Sequence, residues 1–287
     1  MECHTIPRSP GCNLRRSVEL ASLAIRGGLS VSEPWRTVAI RDRLLRQGED
    51  ELAQPPSLID FTGNREANLL LNDLTRYPHA FLIGCIMDRQ MPFERAWLIP
   101  YYLSQRLGTF EFEALAAASL ERITTAMTSP SPLHRFPDVM AGNVHAALQR
   151  VDSEYQGDAS RIWADRPPSA GIVRKMLEFR GVGPKIATMA ANILVRDFRI
   201  PVSDRYSIDV SVDVHIQRLF RRLGLVDEDA GVETIIYRAR ELNPEYPGIF
   251  DLPLWELGKA VCHPSAPRCP ECSMADLCPH RSSGRAS

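Results

Sequence analysis

Four cysteines near the C-terminus, Cys262, Cys269, Cys272 and Cys278, are separated by six, two and five residues. Four soft thiols so close together need a metal to gather them. A structural zinc is one reading, although such sites more often use two Cys-x-x-Cys pairs, and only Cys269 and Cys272 form one here. An iron–sulfur centre is the other reading. Well upstream, Phe179-Arg180-Gly181-Val182-Gly183-Pro184-Lys185 sets two glycines around one apolar residue and follows them with a proline. Gly181 and Gly183 allow backbone angles that a Cβ would forbid and leave peptide N–H groups uncovered. At the positive start of a helix, such N–H groups make an anion site that a phosphate would fit.

The elements that position these residues read as helices. Ile172 to Leu177 carries Ile172, Val173, Met176 and Leu177 on one face. Pro184 suits the first turn of a second helix that runs through the apolar stretch Ile186 to Val195. Earlier, helices are expected from Pro34, broken at Gln54-Pro55-Pro56, and over Arg65 to Leu74. Ala80 to Met87 is strongly apolar and reads as a buried core helix with a polar end at Asp88-Arg89-Gln90. Further helices are expected over Phe93 to Leu107, Phe112 to Ala118 and within His134 to Val151, with a loop at Ser129-Pro130-Ser131-Pro132. No alternating strand pattern appears. Met1 to Ser32, which includes Cys3, His4 and Cys12, is poorly patterned and reads as a loosely attached arm.

At 287 residues the chain can hold two modest domains, and its formal net charge is only −1. A nucleic-acid footprint must therefore be local. One exists: from Arg174 to Arg222 there are ten basic residues against five acids, and the tail beyond has a compensating acidic excess. No run is apolar enough to span a bilayer. No signal-peptide core is visible, so a cytosolic location is expected. Seven cysteines in a cytosolic chain point to metal or cofactor ligation rather than disulfides, and Cys85 reads as a buried apolar residue.

The hairpin motif, followed by Val212-Asp213-Val214-His215-Ile216, closely resembles the helix-hairpin-helix DNA glycosylase superfamily. Lys185, just after the second hairpin glycine, resembles the endonuclease III branch, which removes a base and nicks the strand. The cysteine spacing is similar to the 4Fe-4S loop of that branch at every position. The resemblance covers roughly Trp35 to Pro279 and implies an all-α fold of two helical domains with a DNA cleft between them. Residues 72–206 would form the helical bundle, and 33–71 plus 207–287 the cluster-bearing domain. It implies a base-excision glycosylase with AP lyase activity, acting on duplex DNA as a monomer, with an oxidised pyrimidine as the default lesion. Lys185 would attack C1′ and form a Schiff base, with Asp213 stabilising positive charge on the sugar and helping to position or activate the attacking amine. The helix start and nearby arginines would favour the neutral amine.

By the same resemblance Arg180, Gly181, Val182, Gly183, His215 and Arg268 would face DNA, and Gln90 would fill the gap left by an extruded base. Cys262, Cys269, Cys272 and Cys278 would hold the cluster. The stretch from Arg196 to Ser211 is longer than usual for the family, which leaves Asp209 as a fallback for Asp213. The apolar surroundings of Ile86 and the short tail argue against the adenine-removing branch. The stretch Asp88-Arg89-Gln90 is not typical of endonuclease III, which leaves a monofunctional enzyme of unusual lesion specificity open. A non-catalytic DNA-binding module and an iron–sulfur electron carrier are the readings from other classes. Both Lys185 and Asp213 speak against the module, and the hairpin speaks against the carrier.

Overall fold

The computed structural model describes residues 34–282. The expected arm and its Cys3, His4 and Cys12 lie outside them. Among the described residues every regular element is helical and no strand forms.

One group of helices packs around a single apolar core helix. The chain enters through α1 (Pro34–Ala53) and α2 (Arg65–Asn72), the latter capped by the Asn64 side chain on the Ala67 N–H. Next comes α3 (Pro78–Met87), all ten of whose residues are buried. Uniform apolarity, rather than one apolar stripe, is what a helix surrounded on all sides requires. Its neighbours are α2, α4 (Phe93–Trp97), α5 (Ile99–Leu107), α8 (Pro137–Tyr155) and α10 (Pro184–Arg196). Gly84 lets Trp97 lie against α3, because a Cβ there would stand 2.7 Å from the indole. Trp97 in turn stacks on Phe61 at 4.4 Å. α6 (Phe112–Ala116) and α7 (Leu120–Thr128) cover α8, and α9 (Ser169–Leu177) pairs with α10.

The second group joins the beginning of the described chain to its end. α11 (Val214–Arg222) packs on α12 (Val232–Leu242) and α13 (Asp251–Ala260), and α1 lies against α13 and the turn Pro247–Phe250. Gly48 of α1 is essential to this approach, since a Cβ would meet Ile249 at 2.5 Å. Beyond α13 the cysteine loop leads to the short α14 (Pro279–Ser282).

The unusually long connection between α10 and α11 is anchored at both ends. Its acids are structural. Asp197 pairs with Arg196 at 2.7 Å, Asp204 accepts from the Ser169 hydroxyl at 2.5 Å, and Asp209 receives Arg240 Nε and Nη2 at 2.7 and 2.8 Å. Ile208, Val210 and Val212 are buried, so the final stretch is pulled into the core before it releases Asp213.

Candidate active site

Lys185 and Asp213 open into one cavity of about 500 Å3, together with Asp88, Ser211, His215 and Asp251, and with Phe61, Phe93 and Trp255 on its walls. Each arrives by a different route. Lys185 is the second residue of α10, after the N-cap Gly183 and Pro184. Asp213 is the N-cap of α11, its Oδ1 accepting from the N–H groups of His215 and Ile216 at 2.8 and 2.9 Å. Those two bonds use one oxygen and leave the other free to face the cavity. The fallback Asp209 is not part of this cavity; its carboxylate is taken by Arg240.

The charged group beside the lysine is a carboxylate, not the expected arginine. Asp88 Oδ2 lies 3.3 Å from Lys185 Nζ, with the Asp88 side chain 8% exposed and that of Lys185 42% exposed. Asp88 follows immediately on α3, so the core helix delivers an acid directly to the floor of the site. Burial holds its carboxyl above the ordinary carboxylate range; Lys185 opposes that rise, and Asp213 adds to it. Deeper in, Asp251 Oδ1 accepts the Ser211 N–H at 2.6 Å. Burial, against the pull of Arg196, raises this acid to about 6. Arg89, the next residue along the chain from Asp88, turns its guanidinium to the Gly181 carbonyl at 3.4 Å. The loop after α3 is fixed by His134. Its Nδ1 accepts the Phe136 N–H at 3.0 Å, so Nε2 carries the proton and donates to the Arg89 carbonyl at 3.1 Å.

Beside this cavity a groove is lined by Asp88 to Met91 and by Gly181, Gly183, Pro184, Lys185 and Ile186. Gln90 and the hairpin thus share one surface. Gln90 is exposed and adopts φ +53°, uncommon for a residue with a side chain. Gly181 has φ +92°, and a Cβ there would stand 2.5 Å from Asn143 Nδ2 of α8. Gly183 departs from the expectation: its φ of −102° is open to any residue, and nothing lies within 4 Å of a Cβ placed there. What Gly183 supplies is open space. Among the described residues no backbone acceptor takes the N–H of either glycine. Val182 does not face outward; its side chain is buried and its N–H is bound to the Phe179 carbonyl at 3.0 Å. Arg180 is exposed.

The two glycines should therefore respond differently to substitution. Gly181→Val should destabilise the protein by about 1–3 kcal/mol through left-handed strain and the clash with Asn143. Gly183→Val should melt close to the parent but bind all duplexes more weakly, by similar factors, because phosphate contacts carry no sequence information. Thermal melting and anisotropy titrations at two salt concentrations check both. Parent-like binding by Gly183→Val would show that this turn is not an anion clamp.

The four C-terminal cysteines line one small cavity with Arg222 and Leu223, and none is in a disulfide. Arg222 Nη1 donates to Cys262 Sγ at 3.2 Å, and the Met274 N–H to Cys272 Sγ at 3.4 Å. Burial raises the thiols of Cys272 and Cys278, and the neighbouring sulfurs add to that rise.

No family model matches the chain. Endonuclease III of Synechocystis is 26% identical over 204 residues, which span 70% of this chain and 81% of that protein. The chicken endonuclease III-like protein 1 is 30% identical over 115 residues, 38% of this chain and 36% of its own length. A solved non-covalent endonuclease III–DNA complex superposes with a TM-score of 0.59 at 19% identity, covering 88% of this chain and 99% of that one. A trapped endonuclease III–DNA covalent intermediate gives 0.58 at 18% identity, with 86% and 98% covered. The chain is thus similar in sequence to endonuclease III proteins and shares the fold of their solved DNA complexes. Its fold is that of two helical units with a cleft between them.

The remaining expected contact residues are partly committed within the protein. His215 accepts Arg218 Nη2 at Nδ1, 2.9 Å away, and packs against Gly258. Arg268 is exposed, but its guanidinium donates to the Ala260 carbonyl and pairs with Glu271 at 2.8 Å. A phosphate at Arg268 has to replace these partners. Asp88 is the residue that sequence reasoning missed as a site group. Its signal was a lone acid directly after the eight-residue apolar run Ala80 to Met87.

Proposed function

We propose that this protein is a base-excision-repair DNA glycosylase with associated AP lyase activity. On this reading it removes an oxidised pyrimidine from duplex DNA through a lysine Schiff base. The observation that carries the reading is the meeting of Lys185 and Asp213, from separate helix starts, in one cavity beside the glycine hairpin. The helical bundle (72–206) and the cluster-bearing unit (33–71 plus 207–287) would hold the duplex across their cleft. The target nucleotide must leave the stack for its C1′ to reach Nζ. Gln90, on the groove rim, would occupy the gap, and Arg180 with the N–H groups of Gly181 and Gly183 would hold the backbone. Lys185 Nζ then forms the covalent bond that permits strand cleavage. The free Asp213 oxygen faces the positive charge that grows on the sugar as the base departs.

The cysteine loop on this reading holds a 4Fe-4S cluster. Four thiols around one cavity, two of them receiving N–H donors, form a donor set for a soft cationic centre. One tetrahedral zinc would need the sulfurs within about 3.8 Å of each other. Among the described residues no group of three His, Cys, Asp or Glu side chains is placed to hold a metal ion, so the cluster reading rests on the cysteine spacing and the shared cavity. The cluster would gather the loop and take part in no bond change. Protein purified without oxygen should be yellow-brown and contain iron and acid-labile sulfide. Cys269→Ala should lose both, along with order in the loop, because binding and local folding are coupled. A colourless protein with one stoichiometric zinc overturns this assignment.

The test of the activity is incubation with duplexes that each bear a single lesion, with and without alkali. Strand breaks that appear without alkali establish the lyase; breaks that need alkali establish a glycosylase alone. No base release from any oxidised-pyrimidine duplex overturns the substrate assignment.

A further inference from the structure

We propose that Asp88 is a catalytic residue of this site: its carboxylate takes the proton from the Lys185 ammonium and so delivers the neutral amine that attacks C1′. The inference rests on the glycosylase–lyase reading and names a proton acceptor for its attacking amine. At neutral pH a lysine beside no base is an ammonium, which has no lone pair for a nucleophilic step. The expected arginine neighbours do not surround Nζ; Arg89 is turned to the Gly181 carbonyl. The group the structure places there is Asp88 Oδ2, 3.3 Å from Nζ. That separation lies just beyond ordinary hydrogen-bond contact, as catalytic pairs often do before substrate closes the site.

Asp88 is suited to the transfer by its position. It is nearly enclosed, it opens on the cavity that holds Asp213, and among the described residues Lys185 is its side chain's one hydrogen-bond partner. The cavity's other acids are engaged elsewhere. Asp60 accepts Gly63 N–H and Asn68 Nδ2, Glu94 pairs with Lys259 and Asp251 holds Ser211, while Asp213 caps α11 with Oδ1 and has no hydrogen bond or ion pair to Lys185 among the described residues. The titratable groups that face Asp88 are Lys185 from α10, Asp213 from the start of α11 and Cys85 from its own helix, with His215, Asp251, Glu94 and Lys259 across the cavity. Burial, helped by Asp213, raises its affinity for a proton against the pull of Lys185. A raised carboxyl narrows the gap that transfer from an ammonium must cross.

The proton balance closes. Asp88 Oδ2 receives one proton from Nζ. The freed Nζ lone pair bonds to C1′ as the C1′–N bond breaks, and that bond's electrons leave with the base. The departing base takes the proton from Asp88 and restores its carboxylate. The Nζ attached to C1′ then gives one proton to ring oxygen O4′ as the sugar opens to the Schiff base.

The decisive measurement is single-turnover trapping with cyanoborohydride on a duplex carrying a ready-made abasic site, followed over a range of pH. With no base to remove, the rate reports delivery of the amine. The parent protein should show its rising limb where the Asp88–Lys185 pair loses its first proton, above the ordinary carboxylate range, and then a plateau through neutrality. Asp88→Asn should lose that plateau. Its rate at neutral pH should fall about 10²–10³-fold, the scale of one positioned proton acceptor. It should recover only toward the ordinary lysine range near pH ~10, and because loss of a negative charge from the groove should not weaken duplex binding, rates are compared at saturating protein. Asp88→Glu should restore part of the plateau. An Asp88→Asn protein with the parent's rate and the parent's limb overturns the proposal and leaves the lyase reading standing. A parent protein that is trapped on no abasic duplex overturns both. Should Asp88→Asn not fold, the parent's limb decides, because a rate that climbs only in the lysine range excludes Asp88 as the acceptor.

Discussion

Lys185→Ala should never be captured on damaged duplex DNA by borohydride, although it folds and binds duplex. The lost group is the only amine among the described residues that opens on both the cavity and the hairpin groove. Lys259 shares the cavity but is held by Glu94 and lies over the Trp255 ring. Because the Lys185 side chain is 42% exposed, its removal costs little packing. It does leave Asp88 buried without a counter-ion. The sign of the consequence is fixed: the carboxyl is already raised by burial, and loss of Lys185 raises it further. A group with a raised folded-state pKa stabilises the fold at low pH and loses that contribution as pH climbs through it. Lys185→Ala should therefore melt near the parent at mildly acid pH and below it at alkaline pH. Trapping assayed beside melting curves at two pH values checks both statements. Efficient capture of Lys185→Ala would mean that another amine is the nucleophile.

Asp213→Asn should slow base excision by about 10²–10⁴-fold while leaving the fold intact. Both halves follow from the two roles of one carboxylate. Its Oδ1 caps α11 by accepting two N–H groups, and an amide oxygen accepts them equally well. The charge is what the amide lacks, and charge is what a sugar turning cationic requires. Asp213→Ala should differ by also losing about 1 kcal/mol of stability with the cap. Capture on a ready-made abasic site should suffer less than excision in Asp213→Asn, since no base has to leave. Single-turnover rates on a lesion duplex and an abasic duplex, compared side by side, separate the two steps. Equal losses on both substrates would place Asp213 in amine delivery instead.

Motifs whose meaning is local were legible in the sequence. The glycine hairpin, the four-cysteine spacing and the buried helix Pro78–Met87 each state their structure in consecutive residues, and each lies where expected. Asp213 could be preferred from its setting, but distance along the chain could not exclude Asp209. The exclusion needed Arg240, thirty-one residues further on, to be seen holding it. The role of Asp88 was hidden for the same reason, because its partner is ninety-seven residues away. Gly183 and Val182 show a different limit. A Gly-x-Gly does not say which residue carries positive φ, which leaves its face open and which plugs the core; backbone angles and burial assign those roles to Gly181, Gly183 and Val182.

The short helix α11 has one end in each centre. Asp213 caps its first turn, while Arg222 in its last turn grips Cys262 Sγ and the carbonyls of His263 and Pro264. Arg218, one turn earlier, holds the Cys262 carbonyl and the end of α13. Nine residues at 1.5 Å each make a strut of about 13 Å with little freedom to bend. Thermodynamic reciprocity then applies to the two ends. Whatever order the filled cysteine loop imposes on Asp213, a ligand that orders Asp213 returns to the loop as the same free energy of metal retention. On the function proposed above, DNA that orders Asp213 should therefore raise, at equilibrium, the cysteine loop's retention of a bound cluster against a chelator.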